Sequence, residues 1–214
     1  QSWAGPTTVT GGGPGTLLVD TSSDTSNWMD GYTAGSSSTP LYFRFTLTVN
    51  DNTGETGGGG FFTGFQLYGA TIEHLAVGNN WTSVNWGGYF GPGDFQLNAN
   101  AGAGGVNPIS PGETASFVLK LTQSTGTAVV WFNPNLGVPE AAQDTGLTTT
   151  LTGLGANAAF DNIRIRAGNG TGSTTFSAMS VQTDSPFAVP EPSGVLLAGL
   201  AGMVMASRRQ RQPF

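Results

Sequence analysis

The chain has 214 residues, enough for one large β-domain with a self-sufficient core, and it contains no Cys. Only 9% of its residues are charged, against about 25% in an ordinary cytosolic domain, while Gly is abundant at 34 and the formal net charge is -6. These values exclude a disulfide scaffold, thiol catalysis and thiolate metal sites, and with no basic patch they exclude nucleic acid as an expected partner.

Residues 1 to 15 are rich in Gly, Pro and Thr and read as a flexible N-terminal arm. The apolar run at residues 16 to 19 is a plausible first strand, and residues 20 to 40 read as a long polar loop. The clearest strand follows. Leu41, Phe43, Phe45, Leu47 and Val49 alternate with Tyr42, Arg44, Thr46 and Thr48, so one face is expected buried and the other wet. Residues 50 to 60 carry turn chemistry. Strands are expected at 61 to 68 and 72 to 77. Residues 81 to 90 form an aromatic, Gly-punctuated segment, and 95 to 97 a short strand.

After a Gly/Ala/Pro loop at 99 to 112, Ala115, Phe117, Leu119 and Leu121 alternate with polar residues. Residues 128 to 132 pair naturally with that strand across Ser124-Thr125-Gly126. A long loop follows, with one strand near 147 to 151, then strands at 160 to 166 and 174 to 181. Many short strands and no helical pattern before residue 190 give an all-β class, an antiparallel two-sheet β-sandwich or jelly roll.

The chain ends differently. Pro190-Glu191-Pro192-Ser193 leads into an apolar segment, residues 194 to 206, and then Arg208, Arg209 and Arg211. An apolar segment closed by an Arg cluster has the form of a membrane stop with its positive end inside. As a helix it is about 20 Å long, short of the roughly 30 Å hydrocarbon core. A C-terminal helix packed on the sandwich is the bland alternative. These three parts, in this order, resemble the PEP-CTERM sorting signal of Gram-negative bacteria, over residues 189 to 214. The resemblance implies export, transient insertion in the inner membrane and processing near the Pro-Glu-Pro by an exosortase, with Pro190, Glu191 and Pro192 as recognition residues and Arg208, Arg209 and Arg211 as part of the sorting signal. Such proteins are associated with bacteria that make extracellular polysaccharide. No apolar leader follows Gln1, so the export signal is expected outside this sequence.

The preceding domain, expected over 16 to 188, has a softer likeness. Residues 41 to 49, Phe65-Gln66-Leu67-Tyr68, residues 81 to 87, Val130-Trp131-Phe132-Asn133-Pro134-Asn135-Leu136-Gly137 and Phe160-Asp161-Asn162-Ile163-Arg164-Ile165 resemble, in that order, the concanavalin A-like, laminin G-like jelly rolls. The resemblance implies a two-sheet jelly roll of a kind that often binds carbohydrate. Fold alone does not fix function.

Site chemistry is sparse. Glycoside hydrolysis needs two carboxylates about 5 to 10 Å apart. Glu55, Glu73, Glu113 and Glu140 are scattered among turns and strand ends and read as solvated surface groups. His74 is the one histidine, and no Gly-x-Ser-x-Gly accompanies it, so a local pair with Glu73 is favoured over a triad. Calcium is weighed on Asp51, Asn52 and Glu55 in one loop, or on Asp94, Asp144 and Asp161 converging from several. Turn chemistry alone explains Asp51 and Asn52. Trp81, Trp86, Tyr89 and Phe90, flanked by Asn79, Asn80 and Asn85, form a candidate glycan platform, because flat rings stack on sugars while amides bond hydroxyls. The alternative is that these rings fill the core. The expectation is a non-catalytic, cofactor-free surface or matrix protein, with a lectin-like polysaccharide-binding module as the alternative and a divergent hydrolase as the third.

Overall fold

A computed structural model of the chain describes residues 2–3, 5–11, 16–20, 37–51, 62–69, 72–80, 83–90, 96–100, 110–168 and 172–189. Twelve strands run through these residues: β1 (Thr7–Thr10), β2 (Thr16–Asp20), β3 (Leu41–Asp51), β4 (Phe62–Gly69), β5 (Ile72–Asn80), β6 (Ser83–Phe90), β7 (Gln96–Asn100), β8 (Thr114–Thr122), β9 (Thr127–Phe132), β10 (Thr148–Leu151), β11 (Asn162–Gly168) and β12 (Ser173–Gln182). They form two six-stranded antiparallel sheets. The first has the order β1-β12-β3-β8-β9-β10 and the second β2-β11-β4-β5-β6-β7. The chain crosses repeatedly between the sheets, as a jelly-roll sandwich requires.

The two sheets close on one apolar core. Leu41, Phe43, Phe45, Leu47 and Val49 of β3 meet Phe65 and Leu67 of β4, Leu75 and Val77 of β5, and Ile163 and Ile165 of β11. Phe45 lies stacked between Phe65, with ring centres 4.9 Å apart, and Phe117 of β8, at 5.1 Å. Period-two alternation delivers these residues to one side of each strand.

In β12 the alternation breaks. Thr174 and Phe176 are buried, then Met179 and Val181, and the register against β3 shifts between Ser177 and Ser180. Ala178, at φ 50°, sits in this bulge and resets the inward-facing set by one residue. The β8–β9 hairpin turns through Gln123–Thr125 and Gly126, whose φ of 60° suits glycine.

Three expectations meet a different structure. Residues 7 to 10, read as part of an arm, are a strand: β1 pairs with β12, and the Thr8 and Thr175 hydroxyls lie 2.8 Å apart. Tyr42, expected on a wet face, is buried, with Lys120 Nζ 5.7 Å from its ring centre. Residues 83 to 90, read only as an aromatic, Gly-punctuated segment, are a strand inside the second sheet, with a register shift between Gly88 and Tyr89.

A second compact unit joins residues 135 to 142 with residues 186 to 189. In it Asn135 Oδ1 accepts from the Gly137 amide at 2.9 Å, and the Leu136 carbonyl accepts from the Ala188 amide at 3.0 Å. The expected C-terminal helix and Pro190, Glu191, Pro192, Arg208, Arg209 and Arg211 lie outside the described residues. Among those described, no helix is long and apolar enough to cross a membrane.

Candidate functional site

The polar cluster of the fold stands on the second sheet, on the side away from the core. In β4, Phe65 and Leu67 point inward, so Gln66 and Tyr68 point outward. In β11, Ile163, Ile165 and Ala167 point inward, leaving Asn162, Arg164 and Arg166 on the same outer side. Antiparallel register sets Arg164 opposite Gln66 and Arg166 opposite Gly64. On the other flank of β4, Glu73 of β5 faces Tyr68, after a register shift at that point. These groups are no ordinary solvated surface: Gln66 is 2% exposed and Tyr68 7%.

They are tied to one another. Gln66 Nε2 donates to Glu73 Oε2. The Tyr68 hydroxyl lies 3.3 Å from Glu73 Oε2 and 3.4 Å from Gln66 Oε1. Arg166 hydrogen-bonds the Tyr68 hydroxyl and lies near enough to Glu73 to attract its charge. The Arg164 guanidinium carbon sits 4.6 Å from the Tyr68 ring centre, a cation–π contact. Arg164 Nε is buried with no hydrogen-bond partner among the described residues.

Burial dominates the titration of Glu73. It pushes the carboxyl up to about 7 from an ordinary 4.5, although the Tyr68 hydrogen bond, Arg166 and the Gln66 hydrogen bond all pull the other way. Burial raises Tyr68 too, and the neighbouring Glu73 charge adds to that rise. A carboxyl group poised near neutrality can take or give a proton under ordinary conditions.

Gly64, Gly78 and Gly87 occupy adjacent register positions across β4, β5 and β6. Gly78 is there for a local reason: a β-carbon would lie 2.1 Å from the Thr63 carbonyl oxygen.

The residues singled out in the sequence are dispersed. Glu73, read as a solvated carboxylate or a partner of His74, is partly buried and bonds Gln66 and Tyr68. His74 Nδ1 instead meets the Ala159 carbonyl at 2.6 Å. Asp161 lies just before β11; its amide donates to the Tyr68 carbonyl and its carboxylate accepts from Asn162 Nδ2. Asp51 ends β3 of the first sheet opposite Ser173, whereas Asp161 precedes β11 of the second. Asp144 accepts from the Gly146 amide and Glu113 from the Ser110 amide, both as turn anchors. Among the described residues no three His, Asp or Glu gather to hold a metal ion. Asn52, Glu55, Trp81 and Asp94 lie outside the described residues. Trp86 and Tyr89 take register positions opposite Asn79 and Ala76 in β6.

Gln66, Tyr68, Arg164 and Arg166 were not singled out as site residues. A signal was present: in both strands polar residues alternate with large apolar ones, and Gln, Tyr and two Arg are unusually rich chemistry for a plain outer face.

The chain matches no protein-family model and no curated protein. Among solved structures it is similar to an alginate lyase from Klebsiella pneumoniae, at 17% identity and a TM-score of 0.41, over 68% of this chain and 60% of the lyase. It is similar to the galectin LEC-6 of Caenorhabditis elegans, at 10% identity and a TM-score of 0.41, over 79% of this chain and 95% of the galectin. It is likewise similar to the catalytic domain of a glycoside hydrolase family 131 protein from Coprinopsis cinerea, at 14% identity and a TM-score of 0.41, over 76% and 62%. The expectation of a non-catalytic protein is corrected: burial holds the Glu73 carboxyl up at about 7, and enzymatic activity is not excluded. What the chain itself displays is an antiparallel two-sheet β-sandwich with a built polar face on its second sheet.

Proposed function

We propose that this chain is an exported β-sandwich that binds a sugar chain on the outer face of its second sheet. One observation carries the proposal: Gln66, Tyr68, Glu73, Arg164 and Arg166 form an interlinked polar surface on the side of the sheet that the core does not use. Amide, phenol and guanidinium groups suit the hydroxyls of a sugar. Tyr89 belongs to the same sheet, opposite Ala76, which in turn stands opposite Gln66. The test is a glycan array followed by calorimetry of the full chain and of Tyr68→Ala. Binding that the variant loses supports the face; silence from folded protein on every glycan refutes it.

A second reading, turnover of the bound chain, is favoured by Glu73. It is assayed as release of reducing ends or of unsaturated products. Glu73→Gln is expected to abolish any such release while binding persists.

Delivery belongs to the same proposal. The tail with Pro190, Glu191 and Pro192 is the address, an exosortase is the processing partner, the inner membrane holds the apolar segment in transit, and the envelope surface or matrix is the destination. Intact mass of the protein recovered from the cell surface tests it. A species trimmed after the Pro-Glu-Pro supports the address, and a full-length species with the tail retained refutes it.

A further inference from the structure

We infer that the sugar chain taken by this face is anionic, carrying carboxylate groups such as those of uronic acids, which Arg164 and Arg166 hold. The inference rests on the sugar-binding reading and names its ligand class. It starts from the placement of charge. The formal net charge of the chain is -6, and three of its seven basic residues, Arg208, Arg209 and Arg211, stand in the tail. Of the other four, Arg44 and Lys120 belong to the first sheet, while Arg164 and Arg166 are two apart on β11 and share one outer side. An acidic chain thus gathers two of its few cations on the face that bears its interlinked polar groups.

The geometry of Arg164 sharpens this. Its guanidinium carbon lies 4.6 Å from the Tyr68 ring centre, and Nε is buried without a partner among the described residues. A guanidinium presents a fork of donors that matches a carboxylate bidentately. Opposite Arg166 stands Gly64, followed in register by Gly78 and Gly87.

Glu73 is the competing anion, and it makes the site respond to pH. Around it are Gln66 and Tyr68 from β4, Arg166 from β11 and, next along β5, His74, whose Nδ1 is engaged by the Ala159 carbonyl. Above a pH of about 7 Glu73 is ionised and offsets Arg166; below it the carboxyl is neutral and both cations face the ligand. A sugar carboxylate, with an ordinary pKa near 3.5, keeps its charge throughout. Binding therefore tightens as the pH falls.

The experiment is calorimetry of the full chain at pH 5.5 and pH 8 with oligogalacturonate, a neutral cello-oligosaccharide and dextran sulfate. Oligogalacturonate is expected to bind at least tenfold tighter than the neutral chain, and several-fold tighter at pH 5.5 than at pH 8. Arg164→Lys, which keeps the charge but loses the fork, is expected to weaken it about tenfold. Glu73→Gln is expected to hold the pH 5.5 affinity at pH 8, and His74→Gln to leave the pH dependence unchanged. If the neutral chain binds as well as the uronate, the anionic inference falls while the sugar-binding reading stands. Should dextran sulfate bind tighter than the uronate, the carboxylate assignment falls. Loss of the pH dependence in His74→Gln overturns the role given to Glu73. Silence on all three ligands, from protein with a native β-sheet spectrum, overturns both readings.

Discussion

Glu73→Gln gives the sharpest test of how the polar face is built. Burial holds the Glu73 carboxyl at about 7 in the folded chain, against an ordinary 4.5. Its folded value is therefore raised, and the folded protein binds the proton more tightly than the unfolded chain does. The stability this contributes is fully present below a pH of about 4.5 and is lost as the pH rises through about 7. Each unit of pKa difference corresponds to about 1.4 kcal/mol, so the loss between pH 4 and pH 8.5 is about 3 kcal/mol. In Glu73→Gln the amide oxygen still accepts from Gln66 Nε2 and the Tyr68 hydroxyl, the two hydrogen bonds on Glu73 Oε2. Only the charge is gone. Urea unfolding followed by circular dichroism, at half-unit steps of pH, measures the difference between parent and variant, in which all other titrations cancel. That difference is expected to open by about 3 kcal/mol in favour of the variant, with its midpoint near pH 6. Parallel stability curves across the whole range would refute the buried acid.

Three further outcomes follow from the same coordinates. Tyr68→Phe removes a hydrogen bond that holds the Glu73 carboxyl down, so the Glu73 titration, read by carbon NMR of its carboxyl, is expected to move further up. Gly78→Ala places a β-carbon 2.1 Å from the Thr63 carbonyl oxygen and is expected to cost about 2 to 4 kcal/mol in urea unfolding. Phe45→Ala empties the stack between Phe65 and Phe117, and a loss of about 3 to 5 kcal/mol is expected by the same measurement.

Much of the sandwich can be read from alternation alone. β3 and β8 carry long period-two runs of large apolar residues, and the structure pairs them directly, Phe45 against Phe117. β1 is illegible for a physical reason. Thr7 to Thr10 has a single buried apolar residue, Val9, and its strand conformation comes from pairing with β12, far away in the chain. The bulge in β12 is equally hidden, since nothing in Ser177-Ala178-Met179 announces a positive φ at an alanine.

The polar face shows the same divide. Each strand declares which of its residues point outward, as Gln66 and Tyr68 do against Phe65 and Leu67. Which outward residues meet depends on sheet order, and β11 lies beside β4 only because the chain crosses between the sheets many times before returning. Glu73 looked like a surface carboxylate because its hydrogen-bond partners, Gln66 and Tyr68, stand on the neighbouring strand. The tail is the opposite case: its signal is local, a short motif, an apolar run and an Arg cluster, and it is read from the sequence alone.

The central claim is that ligand binds on the outer face of the second sheet. Amide NMR of the isotope-labelled full chain, titrated with oligogalacturonate at pH 5.5, tests it most directly. The account predicts the largest shifts at Gln66, Tyr68, Glu73, Arg164 and Arg166, with Thr8, Thr46 and Thr175 on the first sheet unmoved. Shifts centred on those threonines, or none on the second sheet at saturating ligand, would contradict it.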